Sequence, residues 1–527
     1  MFRYAVFVMG LSFLLPNCTW GQSPPTVGSV KVSMCKDRKA AKLRDCQIVT
    51  TRKGELIVLR NGLKDPPGFH KPQAEWDLYR SNDLEFVSTT KLDDSNEGGE
   101  RIRWETLVNV GGECRVIGIT TEPPNRIYCR LINATPGDNE GRANVIHTWD
   151  TKIRQQIIQS PYGEELLTIQ LSPDSNRILI LCPFGITKEG HSYGLLVLDR
   201  DLSVVWSQEL SVASRTAIFT LKDAAVDNEG TAFLFTTSQF FNNKERVAQG
   251  ADIKSLVQQV SPKGVSTYEV KLGPDLKVYQ GQCSTTVPGQ IVCAGTYGDL
   301  RLIGGHTKGQ FMFSQNIDHP HDAQLFQQRY DSTKLQLSGS GESTLKEQQS
   351  LLRKFSRSAD LVDLFVDSTG SYMISEESST EGNSDGNGNY TLTYVHGDVL
   401  IQRLDLNGKE VWSRLIQRDR KSKVESAGKI LSMIRNNHLI LFLSISKYEA
   451  FHQNDKEYIC PGNSLIPMLV KFDPSGGMKM EALSCDDDID HISGPQILDV
   501  GDGAYITMGH ANSCGGRKVP VRIQFNE

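Results

Sequence analysis

The nine residues LDRDLSVVW at Leu198–Trp206 return as LDLNGKEVW at Leu404–Trp412, with the same Leu-Asp opening and Val-Trp close. Looser copies read LYRSNDLEF (Leu78–Phe86), VSPKGVSTY (Val260–Tyr268) and FDPSGGMKM (Phe472–Met480). Each begins apolar, sets turn-forming residues in the middle, and ends on Phe86, Trp206, Tyr268, Trp412 or Met480. Four residues into each copy stand Asn82, Gly264, Gly408 and Gly476, with Leu202 the exception. Gly and Asn accept the positive φ of a tight reversal, so the repeat predicts the turn of a β-hairpin. It carries no catalytic pattern.

A second hairpin signal precedes several copies: LSPDSNRILIL with Asn176, AVDNEGTAFLF with Gly230 and FVDSTGSYMIS with Gly370. Two hairpins per unit make four strands. The gap between Val260 and Leu404 leaves room for one more unit, assigned to GGHTKGQFMF with Gly309 at the turn and Phe313 at the aromatic position. An early unit surrounds NVGGECRVIGITTEPPNRIYCRLI, and an incomplete last one runs from LDVGDGAYITMGH to VPVRIQF. The N-terminal strand GSVKVSM, Gly28–Met34, is expected to complete that last unit. The reading is an all-β chain, a seven- or eight-bladed β-propeller, because radial repetition leaves only short sheet edges exposed. Two packed β-sandwiches are the alternative.

One interruption, 319–359, contains STLKEQQSLLRKFSRSA and predicts a short helix near 343–358. Thr344 and Glu347 have capping-box spacing, and Leu345, Leu352 and Phe355 are available for one apolar face. Such a helix is expected to cover a propeller face or a sheet edge.

The run DLVDLFVDSTGSYMISEESS…GDVLIQRLDLNGKEVWSRLI, best over 360–483, resembles uncharacterised exported β-propeller-like proteins of Bacteroidota. The matching positions are Asp398, Leu400, Leu404, Asp405, Gly408 and Trp412. The resemblance implies architecture and brings no functional residues with it.

Residues 1–21 have the layout of a signal peptide: Arg3, an apolar run from Ala5 to Leu15, and small residues before a cleavage point after Gly21. That run is too short to span a bilayer, no later segment is longer, and no transmembrane segment is predicted. The remainder, 22–527, is read as one propeller domain, secreted or periplasmic. Lipoprotein anchoring at Cys18 is disfavoured, since Asn17 precedes it where a small residue is usual. Export permits disulfides. The neighbouring pairs Cys35/Cys46, Cys114/Cys129, Cys283/Cys293 and Cys460/Cys485 are the expected partners, with Cys182 and Cys514 left over, although spacing alone leaves other connectivities open. A net charge of −5 on 527 residues argues against a nucleic-acid partner, which would require a concentrated basic surface.

Four short patterns have a chemical look. GHSYG at Gly190–Gly194 fits G-x-S-x-G, yet the residues that follow read as strand, turn and strand where a nucleophile elbow at Ser192 needs a helix. DHPHD brings His319 and His321 together as half a metal site, with Pro320 favouring a loop. DGNGNYT places Asp385, Asn387 and Asn389 at the spacing of a calcium loop but departs from an EF-hand at Tyr390 and His396. Structural calcium is the one cofactor this suggests; none is otherwise expected. CDDDIDH at Cys485–His491 is acidic without a suitably placed glycine.

The function expected is an exported binding or scaffold module, with loops on one face engaging a protein or glycan partner. The alternative is a carbohydrate-processing propeller enzyme with acidic residues in its central funnel.

Overall fold

The computed structural model describes most of residues 30–525. The main stretches outside the described residues are 35–45, 61–74, 93–98, 133–142, 152–166, 241–253, 300–306, 338–343, 385–389, 423–428, 447–464, 484–488, 493–496 and 512–516. Eight antiparallel sheets form the blades of a β-propeller. From innermost to outermost strand, blade 1 runs from Cys46–Thr50 to Phe86–Lys91, blade 2 from Ile102–Val110 to Asn144–Trp149 and blade 3 from Thr168–Leu171 to Val204–Ala213. Blade 4 runs from Ala217–Val226 to Gly264–Glu269, blade 5 from Leu276–Ser284 to Gln324–Arg329, blade 6 from Ala359–Asp367 to Glu410–Ile416 and blade 7 from Leu431–Arg435 to Met478–Ala482. Blade 8 is closed as its sequence suggested. Val30–Met34 pairs antiparallel with Arg517–Phe525, which pairs in turn with Ala504–Ala511.

The core lies between blades. In blade 3 the middle strands bury alternate residues on opposite sides: Ile178, Ile180, Leu196 and Leu198 pack with Val108, Ile117, Ile127 and Trp149 of blade 2. Leu179, Leu181, Leu195 and Val197 pack with Ala224, Val226 and Leu234 of blade 4. Both faces are apolar, so a one-residue slip of a middle strand would cost little in burial. Register therefore rests on the turns, which explains why the turn is what the sequence repeats.

Trp206 and Trp412 occupy corresponding outermost strands, and so do Phe86, Tyr268 and Met480. Each tryptophan donates its indole N–H to the next blade, Trp206 to Gly230 O at 2.8 Å and Trp412 to Pro474 O at 3.1 Å. At the ring's closure, Arg522 of blade 8 donates to Ser81 O and Asn82 O in the blade 1 turn, at 3.2 and 2.8 Å.

Three expectations about the turns need correction. Gly309 and Phe313 lie inside a strand, Thr307–Asn316, the third of blade 5. The actual turn of that unit follows it, and Phe326 takes the position in the wedge. In the first copy the positive φ falls on Leu84 (58°), because that turn is one residue longer. Leu202, the expected exception, has positive φ as well, at 64°.

Among the described residues there is one helix, Leu345–Phe355, opened by the expected Thr344/Glu347 capping box. Leu352 and Phe355 are buried with Leu335, Leu400 and Leu415; Leu345, two turns before Leu352 at the helix start, is 50% exposed and lies beyond that contact. Leu335–Leu337 lies parallel to Ser413–Leu415, so the insertion covers the outer edge of blade 6.

Of the cysteines whose side chains are described, Cys114, Cys129, Cys182, Cys283 and Cys293, none carries a disulfide in this structure, so the expected Cys283/Cys293 bond is not formed in it although the two stand opposite one another. Cys129 stands opposite Ile117, three residues from Cys114. An odd offset places the two on opposite faces of the sheet, so the expected Cys114/Cys129 pair does not form there. Cys35, Cys460, Cys485 and Cys514 lie outside the described residues.

Candidate functional site

Strand direction divides the connections between two faces. First-to-second and third-to-fourth connections emerge on one face, and they are short: 51–54, 172–176, 200–203, 227–231, 405–409 and 473–477, with 132–143 the longest. Second-to-third connections and the links between blades emerge on the other face. They include 61–74, 150–167, 241–254, 330–358, 417–430 and 447–464. The first is a turn face and the second a loop face.

Aspartates build the turn face. Asp199 Oδ1 accepts from the backbone N–H groups of Asp201 and Ser203, and Asp405 Oδ1 from those of Asn407 and Lys409, all at 2.9 Å. Asp473 does the same with Ser475 and Gly477 at 2.8 and 2.9 Å. The Ser475 hydroxyl and these N–H groups hold the Asp473 carboxyl below its ordinary range. In blade 5 the role passes to Asn316, whose Oδ1 accepts from Asp318 N at 2.9 Å and His319 N at 3.2 Å. DHPHD is therefore the turn of its blade. His319 is exposed there, and His321 lies outside the described residues. Among the described residues no group of three His, Cys, Asp or Glu side chains could hold a metal ion. Asp385, Asn387 and Asn389 also lie outside the described residues, in the connection between the long strands Gly370–Ser384 and Tyr390–Leu404 on the loop face.

Ser192 sits within the strand Gly190–Asp199, opposite Gly185 on one side and Ser211 on the other. A nucleophile elbow requires a strand-to-helix turn, so that reading ends here.

The first strands line the axis. Four of them carry an equivalent β-bulge, between Trp104 and Thr106, Leu221 and Asp223, Val278 and Gln280, and Leu361 and Asp363. A bulge re-aims the neighbouring side chains, and here they reach adjacent blades. Gln47 Oε1 accepts from Leu107 N at 2.7 Å and from Thr106 Oγ1 at 2.8 Å, while Asn109 donates to Thr50 O at 2.6 Å. Asp223 Oδ2 accepts from Cys283 N at 2.7 Å, and Thr285 donates to Val226 O at 2.9 Å. Gln282 and Thr286 donate to Val362 O and Val366 O at 3.0 and 2.7 Å, and Ser432 donates to Asp363.

Burial pushes the Asp223 carboxyl up to about 6, against the hydrogen bonds from Cys283 and Ala224 that lower it. Asp360 and Asp363 are raised by the same cause. Lys222 is pushed down by burial and then by the charge of Lys277. Two inner acids thus join neighbouring blades, Asp360 through Gln280 and Asp363 through Ser432, whereas Glu105 is ion-paired with Arg103 of its own strand at 2.5 Å.

A buried ionic cluster on blade 6 was not singled out from the sequence. Arg418 pairs with Glu376, donates Nε–H to Gly397 O at 2.8 Å and gives its backbone N–H to Asp398 Oδ1 at 3.0 Å. His396 Nδ1 lies 3.0 Å from Glu376 Oε1. The cluster sits at the irregularity between Glu376 and Ser378, where the long hairpin outgrows the blade. It fixes the root of that hairpin. Asp398, one of the positions matched in the resemblance, is explained by this bond.

No family model matches the chain, and no curated protein matches it significantly. Among solved structures it is similar to a puromycin hydrolase S511A mutant complexed with PGG, at 12% identity and TM-score 0.36, covering 77% of this chain. The chain spans 51% of that protein's length. It is also similar to a protein of unknown function from Bacteroides caccae, at 13% identity and TM-score 0.27, covering 67% of this chain and 91% of that one. A third, of unknown function from Dyadobacter fermentans, has 11% identity and TM-score 0.30, covering 69% and 96%. Likenesses this distant assign no activity; the fold rests on the strand pairing itself.

Proposed function

We propose that this chain is an exported β-propeller that binds a protein or glycan partner through its loop face. The observation that carries the reading is the unequal distribution of connections: hydrogen-bonded short turns on one face, nearly all long connections on the other. A rigid scaffold with loops gathered at one end is the usual platform for recognition. Engagement of Asp223, Asp360 and Asp363 in hydrogen bonds, chiefly between blades, favours this reading over a hydrolase, whose acids must be free to exchange protons with substrate.

The test is a glycan and extracellular-protein array probed with the signal-cleaved protein and two variants. One replaces 385–389 with Gly and Ser residues; the other is Leu406→Lys on the turn face, where Leu406 is 47% exposed. Binding reduced at least tenfold by the loop-face change and retained in Leu406→Lys is expected. The opposite pattern, or glycan hydrolysis by the purified protein, overturns the reading.

A further inference from the structure

Blade 5 is thin where its first two strands meet. Gly281 stands directly opposite Gly295, and a Cβ on Gly281 would lie 2.2 Å from the Phe235 ring of blade 4. Paired glycines bring no cross-strand side-chain contact and weaken a sheet. Two residues along each strand, on the same face, Cys283 stands opposite Cys293. Both pack with Phe233 and Phe235 in the cluster between blades 4 and 5.

The backbone shows which kind of pair this is. The Cys283 N–H points away from the partner strand, to Asp223 Oδ2 of blade 4 at 2.7 Å. The two cysteines therefore form a non-hydrogen-bonded pair, in which Cα atoms approach to about 4.5 Å and side chains are closest. A disulfide needs a Cα separation of roughly 4.4–6.8 Å. The Cys293 thiol is also the neighbour that, after burial, pushes the Cys283 thiol well up. By contrast, Cys114 and Cys129 face opposite sides of their sheet, and Cys182 is enclosed among apolar side chains between blades 2 and 3.

We propose that Cys283 and Cys293 are joined by a disulfide in the mature protein, stapling the first two strands of blade 5 beside the glycine pair. The bond forms by exchange with a disulfide-bearing oxidant. One thiolate attacks it to give a mixed disulfide, the second displaces the carrier, and the oxidant leaves as two thiols with the two protons and two electrons. Burial makes the folded thiols poor nucleophiles, so the bond forms while the blade assembles and is shielded from reductant afterwards.

The test uses the full chain directed to a bacterial periplasm, denatured in iodoacetamide without reductant and digested with trypsin. Lys277 and Arg301 flank both cysteines, so residues 278–301 leave as one peptide. The expected peptide is unlabelled and two hydrogens lighter than the dithiol, and takes two labels only after reduction; Cys114, Cys129 and Cys182 are labelled at once. In Cys283→Ser, Cys293 should take the label without reduction. Recovery of 278–301 doubly labelled before reduction, or linked to another cysteine-bearing peptide, overturns the proposal.

Discussion

The turn of blade 3 at Asp199–Ser203 and that of blade 6 at Asp405–Lys409 share a hydrogen-bond plan and part at the residue that carries positive φ. In both, the aspartate holds the backbone N–H groups two and four residues on, and the penultimate turn residue has positive φ. Blade 6 places Gly408 there, at φ 78°, and Phe326 of blade 5 occupies the space a Cβ would need, 2.6 Å from its position. Blade 3 places Leu202 there, and its side chain packs against the cluster that includes Trp149 of blade 2. The wedge between blades is filled from the neighbour in one case and from the turn in the other. Blade 7 repeats the first solution, with Gly476 against Trp412, and blade 1 the second, with Leu84 buried. The repeat thus specifies a turn, while the fourth offset answers to whatever the preceding blade presents. For Leu84 and Leu202 the burial offsets a backbone cost of about 1 kcal/mol or more.

The strongest challenge to this comparison removes the wedge itself. Trp412 stacks on Phe472 at 5.6 Å and 20°, and Trp412→Ala is expected to cost about 3–5 kcal/mol in chemical denaturation. Trp206→Ala, which has no such stack among the described residues, should cost less; equal losses would break the distinction between the blades. Next comes the exchange at the fourth offset. Gly408→Leu should destabilise by about 2–3 kcal/mol through positive φ and overlap with Phe326, and adding Phe326→Ala should recover part of the loss. Leu202→Gly, which relieves strain while losing burial, should stay within about 1.5 kcal/mol. If the two single changes cost the same, the account of the fourth offset is wrong.

Asp223 of the axis and Asp473 of the turn face should differ in the sign of their pH dependence. Asp223 holds its proton up to about 6 when folded, so between its ordinary value of 3.8 and about 6 the folded state binds more protons and stability falls as pH rises. Asp223→Asn should therefore stabilise at pH 8, by about 1–3 kcal/mol, with the gain disappearing below pH 4. Asp473 is depressed, so its contribution is present above 3.8 and lost as pH falls through its lower folded value. Asp473→Asn should destabilise at neutral pH and approach the parent protein in acid. The smallest effect is expected from the shared feature: Asp199→Ala and Asp405→Ala should each cost about 1 kcal/mol and match one another.

The recurrent turn made the ring legible before any coordinates, since Asp and Gly in a fixed frame are local requirements of backbone geometry. Val30–Met34 could be foreseen as the closing strand because the last unit lacked one. Blade 5 was misplaced for the same reason that the others were found: its turn uses Asn316 in place of Asp and has no glycine at the fourth offset, so Gly309 drew the assignment into a strand. The axial bonds were out of reach. Gln47 and Leu107, or Gln280 and Leu361, lie 60 and 81 residues apart, too far for any local spacing to mark the bond. Glu376, His396 and Arg418 come from three segments and leave no spacing to read.

Amide hydrogen exchange at the two chain ends tests the closed ring most directly. Val30–Met34 should be protected as strongly as Arg517–Phe525, and Arg522→Ala, which removes the donor to Ser81 and Asn82 in blade 1, should weaken both together. Rapid exchange across Val30–Met34 beside a protected Arg517–Phe525 would contradict the closure and, with it, the eight-bladed ring.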